Sequence, residues 1–133
     1  MCSILFTSKD IKDYDEVNYY LKFRGPDDTS IVKDEVNNFT FLHNLLSMTG
    51  EFTTQPFQED GILCLYNGEI YNYKEFGDYK SDGYCIIDLY KEYGVDFVKK
   101  LDGEFAILLL DFNNDLILMV TDPFKTKPLF YSN

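Results

Sequence analysis

Apolar and polar positions alternate along the chain in short blocks, and most blocks end at a turn signal. Residues 3–7 (SILFT) read as a buried strand that begins almost at the N-terminus. Asp13 followed by Glu16 forms an acidic variant of a capping box. Val17, Tyr20, Leu21 and Arg24 then share one helical face, and Gly25-Pro26 stops the helix. Short strands are expected over residues 30–33 and 39–43. Residues 62–66 (ILCLY) are continuously apolar and end at Asn67-Gly68, the pattern of a strand buried on both faces. Ser81-Asp82 caps a second helix, in which Cys85, Ile86, Leu89, Tyr90 and Tyr93 make an apolar stripe and Gly94 closes the last turn. Residues 95–101 predict a short helix or helical turn. Residues 104–112 and 116–120 predict a hairpin across Asn113-Asn114-Asp115, and residues 128–131 a last short strand. Strands apolar on both faces, with helices between them, suggest layered sheets covered by helices.

Composition narrows what such layers do. The chain has 133 residues, the size of one domain, of which 45% are hydrophobic and 17% aromatic, which excludes a disordered tail. Twelve basic and 23 acidic residues leave a net charge of −11. Nucleic-acid phosphates and anionic membranes repel such a surface, so neither is an expected partner. Three irregularly spaced cysteines argue against a disulfide framework and fit a reducing, cytoplasmic setting. No apolar run reaches membrane-spanning length, and no secretory leader pattern is present. Arg24 is the only arginine and His43 the only histidine, so chemistry built on a histidine base or an arginine cluster has almost no material.

Cys2 supplies an alternative. It directly follows Met1 and is small enough to permit methionine removal. Removal would place a thiol and a free α-amine on one residue. With a pKa near ~7.7–8, that amine is a general base at neutral pH, so no histidine is needed. Asn67-Gly68 reads as a tight turn, or as an oxyanion hole in which a side-chain amide and a backbone N–H converge. Ser81-Asp82 reads as a helix cap, or as a carboxylate that holds a substrate ammonium.

Taken together, MCSI, RGPDD (24–28), HNLLS (43–47), QPF (55–57), NGEIYN (67–72), SD (81–82), LDGEFAILLLD (101–111) and DPFKTKPLFY (122–131) resemble, in order, the glutamine-hydrolysing domain of asparagine synthetase, a class II glutamine amidotransferase. The resemblance covers nearly the whole chain. It implies an α+β fold, the α-β-β-α sandwich of antiparallel sheets of N-terminal-nucleophile hydrolases. Residues 1–133 are then one glutaminase domain, shortened at its C-terminal end and without a synthetase domain. The resemblance also implies roles. Cys2 attacks the side-chain amide of glutamine, Asn67 and the Gly68 N–H hold the oxyanion, Glu69 and Asp82 face the α-ammonium, and backbone groups of Met48 and Thr49 help hold the α-carboxylate. Ammonia passes to a separate asparagine-synthetase-like partner. No cofactor or metal is implied.

The chain departs from that pattern in places. Leu45 stands where the family carries the arginine that pairs with the glutamine α-carboxylate. A lost charged hydrogen bond is worth about tenfold to over a hundredfold in binding. Arg24 is expected to brace the RGPDD loop. Gly83-Tyr84, Lys125 and Thr121 also differ from the usual residues. The pyrophosphatase fingerprint S-G-G-x-D-S is absent, which excludes a stand-alone asparagine synthetase by content. Cys64 and Cys85 are expected in the core, His43 at a strand end in a structural and not a catalytic role, and Asp13, Asp15 and Glu16 on a solvated helix start. Residues 111–115 lack the spacing of a calcium loop. Three readings follow: a glutaminase serving a partner synthetase, an amidohydrolase for an amide lacking an α-carboxylate, and a catalytically degenerate relative that binds a partner.

Overall fold

The computed structural model describes residues 1–48 and 50–133. Two antiparallel sheets face each other. One has three strands in the order β1-β3-β2: β1 is Ser3–Thr7, β2 is Asp28–Asp34 and β3 is Phe39–Leu45. The other has four in the order β4-β5-β6-β7: β4 is Phe57–Glu59, β5 is Ile62–Ile70, β6 is Gly103–Asp111 and β7 is Leu116–Thr121. The architecture is α+β, as expected.

Period-2 alternation sorts the side chains of the second sheet. Leu63 and Leu65 of β5, with Leu108 and Leu110 of β6, meet Phe41 of β3 between the sheets. The alternate residues Cys64, Tyr66, Phe105, Ile107 and Leu109 pack under helix α2, Cys85–Tyr93. Strands β5 and β6 are therefore covered on both faces, which explains their unbroken apolar runs. Gly94 ends α2 in the left-handed region at φ +59°, and its N–H donates to the Tyr90 carbonyl. The β6–β7 hairpin turns at residues 112–115, as predicted.

Four expectations are corrected. The first helix, α1, spans only Tyr14–Asn18, followed by a 3₁₀ turn over Leu21–Arg24. Asp13 does cap it, accepting from the Glu16 N–H at 3.0 Å. Its buried residue is Asn18, however, while Val17 and Tyr20 are exposed. Asn18 exchanges side-chain hydrogen bonds with the buried Asn44 at 3.1 and 2.8 Å, so a polar clasp, not an apolar stripe, docks α1. Second, β5 does not stop at Asn67-Gly68 but pairs with β6 through Ile70. Third, Ser81 occupies the cap position ahead of Asp82 without a side-chain capping bond. Fourth, residues 128–131 form no strand; Phe130 and Tyr131 are exposed, and Pro128 has no N–H to donate to a ladder. Strand β4 is a short addition whose three residues carry no periodic signal.

Candidate active site

Pairing of Ser3 with Asn44 puts Cys2 beside the chain that leaves β3. The Leu46 N–H donates to the Cys2 Sγ at 3.4 Å, and the thiol lies 3.8 Å from the Leu46 carbonyl. Cys2 is half-buried. Burial pushes its thiol pKa above the usual value; the Leu46 contact and the N-terminal charge oppose this, and the charges of Asp82 and Glu69 add to it. Arg24 Nε donates to the Cys2 carbonyl at 3.4 Å, so Arg24 braces the N-terminus. Asp27 of the RGPDD segment accepts from the Ser47 N–H at 2.8 Å, fixing the chain beyond Leu46.

Across from Cys2 lies the open side of β5. Strand β4 pairs with β5 only as far as Phe57 opposite Cys64. The Gln55 side chain replaces the next rung: its Oε1 accepts from the Tyr66 N–H at 2.7 Å and its Nε2 donates to the Tyr66 carbonyl at 3.0 Å. Two rungs further on, the Ile70 N–H donates to Asp82 Oδ2 at 2.8 Å. Backbone groups of alternate residues point to the same side of a strand. The Gly68 peptide therefore projects between these two rungs, on the side away from β6. Among the described residues no strand partners it there. Gly68 itself is demanded by packing. A Cβ would come within 2.7 Å of Phe105 Cα and closer still to the Glu104 carbonyl oxygen.

Asp82 is 5% exposed. Its Oδ2 also accepts from the Tyr66 hydroxyl at 2.5 Å, and its Oδ1 from the Ser81 hydroxyl at 3.2 Å. Burial, then the Asp82 charge, pushes the Tyr66 hydroxyl pKa well up, so Tyr66 stays a donor. Glu69 sits opposite Glu104 in the β5–β6 register. Lys127, itself buried, contacts Glu104 at 2.5 Å and offsets that pair of like charges. Asp122 shapes the loop that delivers Lys127. Burial would raise its carboxyl pKa, but hydrogen bonds from Thr126, Phe105 and Phe124 hold it at about 2.

One small cavity, about 40 Å³, joins these parts. Cys2, Met48, Gly68, Glu69 and Asp82 line it, together with Leu45, Gln55 and Tyr66. Asn67 does not. It lies in the buried strand, and its Oδ1 has no hydrogen-bond partner among the described residues. Thr49 falls outside the described residues. Cys64 and Cys85 are fully buried, with thiol pKa values pushed up by burial, that of Cys85 to about 12. Among the described residues no cluster of His, Cys, Asp and Glu is arranged to hold a metal ion. A second, larger cavity of about 170 Å³ borders Phe39, Leu110 and Phe112; it is mostly apolar, and among the described residues no cysteine, serine or threonine lines it.

The glutamine amidotransferase domain family matches residues 1–133. The chain belongs to this family. The amidotransferase domain is 40% identical over 124 residues to asparagine synthetase [glutamine-hydrolyzing] 2 of Bacillus subtilis, covering 84% of this chain and 16% of that protein. It is 34% identical over 149 aligned positions to asparagine synthetase [glutamine-hydrolyzing] 1 of Saccharomyces cerevisiae, covering 98% and 25%. It is also 36% identical over 98 residues to the amidase chyE of Penicillium rubens, covering 65% and 14%. The chain thus spans a quarter or less of the length of these relatives. Residues 55 and 66 of the amidotransferase domain stood in the sequence without an assigned task. Their part in the site comes from hydrogen bonds between distant segments, to which only the QPF segment pointed. No helix among the described residues is long and apolar enough to cross a membrane.

Proposed function

We propose that residues 1–133 act as one glutaminase domain whose nucleophile is the Cys2 thiol, freed by removal of Met1. The observation that carries this reading is the open Gly68 peptide facing the same cavity as Cys2. The α-amine of Cys2 takes the thiol proton, and the sulfur bonds to the carbon of the glutamine side-chain amide. The Gly68 N–H holds the negative oxygen that forms; one such donor is typically worth about 3–4 kcal/mol. The C–N bond then breaks, and ammonia leaves with the proton from the α-amine. Water attacks the thioester, releases glutamate and restores the thiol. Asp82 and Glu69 hold the substrate ammonium, and backbone groups of Met48 and Thr49 hold its other end.

The ammonia passes to an asparagine-synthetase-like partner, which on this reading is a separate subunit in the cytoplasm. The synthetase names of the relatives support the acceptor class. Ammonia release from glutamine by protein that begins at Cys2 tests the proposal. Release that persists in Cys2→Ala refutes it.

A further inference from the structure

The charges around the cavity are one-sided. Glu51, Glu69 and Asp82 line it, and no lysine or arginine does among the described residues. Asp82 matters most because it is buried and its hydrogen-bond donors among the described residues, the Tyr66 and Ser81 hydroxyls and the Ile70 N–H, are all neutral. Buried carboxylates are ordinarily met by a cation. Two cations lie nearby without lining the cavity. Lys80 pairs with Glu51 at 3.6 Å with both side chains largely in solvent, a pairing of little energetic weight. Arg24 turns its Nε to the Cys2 carbonyl at 3.4 Å. Leu45, 6% exposed, adds hydrocarbon to the wall. Such a cavity stabilises an ammonium and repels a carboxylate.

We infer that the preferred substrate is a primary amide bearing an ammonium and no free carboxylate: a glutaminyl group whose α-carboxyl is blocked in an amide bond. This rests on the Cys2 amidohydrolysis proposed above and narrows its substrate. The reaction balances as before. The side-chain carboxamide and one water give a carboxylate and ammonium, and the thiol is regenerated.

The test compares ammonia release from L-glutamine, L-glutamine α-methylamide and N-acetyl-L-glutamine. The methylamide should exceed glutamine in kcat/KM by roughly tenfold or more, the weight of one charge-assisted contact. N-acetylglutamine, which lacks the ammonium, should be poorest. Glutamine equal to or better than the methylamide overturns the inference. Glu51→Lys, at an exposed position, places a cation at the cavity mouth and should narrow the gap; an unchanged gap counts against the electrostatic argument. Cys2→Ala separates the two claims. If Cys2→Ala stops all turnover and glutamine still ranks first, only the substrate inference falls. If Cys2→Ala continues to release ammonia, or wild type cleaves none of the three, the amidohydrolysis reading falls and the substrate inference with it.

Discussion

Acidification should destabilise this domain through its one histidine. His43 sits in β3 with Ile4 and Ser30 as its cross-strand partners. It is fully buried, and its Nε2 has no hydrogen-bond partner among the described residues. Burial disfavours the imidazolium, and the Asp28 charge offsets only part of this, so the pKa falls from 6.5 to about 4. The unfolded chain therefore takes up the proton first as pH drops. Stability from this group is complete above the unfolded pKa and is lost as pH falls toward 4. One pKa unit corresponds to 1.36 kcal/mol, so the full loss is about 3 kcal/mol, of which about 2 kcal/mol is gone by pH 5. Urea unfolding of wild type and His43→Leu at pH 7 and pH 5 isolates the effect, because the carboxylates contribute equally to both proteins. Leucine also removes the orphaned nitrogen, so the variant should be at least as stable as wild type at pH 7. Its loss between pH 7 and 5 should be about 2 kcal/mol smaller. Equal losses in the two proteins would refute the argument.

Three further outcomes follow from the site. Gly68→Ala should cost about 2–3 kcal/mol in urea unfolding, because the new methyl meets the β6 backbone, which cannot move aside as a side chain can; wild-type stability in this variant would show that β5 and β6 are not packed this closely. Asp82→Asn keeps the shape but weakens two charged hydrogen bonds, so stability should fall by about 2 kcal/mol. Its KM should rise tenfold or more for amides that carry an ammonium and stay level for N-acetylglutamine; an equal change for all three denies Asp82 a role with the ammonium. Leu45→Arg should raise kcat/KM for glutamine by about tenfold. An unchanged KM for glutamine would count against Leu45 as part of the pocket wall.

What the sequence made legible, and what it hid, follows from the range of the forces. The start of β5 at Ile62 and the 104–120 hairpin were readable almost to the residue, because local apolar runs and a turn define them. The first helix was overdrawn because its docking depends on Asn18 and Asn44, 26 positions apart, and no periodicity reports such a pair. The continuation of β5 through Asn67-Gly68 was hidden for a related reason. Asn-Gly favours a turn locally, yet Gly68 is there to let β6 approach. Cys2, Gly68, Glu69 and Asp82 stood out through short motifs and Met48 only through the family resemblance, and the fold brings all five to one cavity. The roles of Gln55 and Tyr66 were not legible, beyond the presence of the QPF motif, because a side-chain amide that replaces a strand rung leaves no periodic mark on either segment.

The central claim is that Cys2, as the first residue, forms a thioester with its substrate. Intact-mass analysis of protein quenched in acid during turnover tests it directly. The account predicts a chain that begins at Cys2 and carries one acyl group, located on Cys2 by peptide mapping and absent from Cys2→Ala. A chain that keeps Met1 and still releases ammonia, or an acyl group on Cys64 or Cys85, would contradict it.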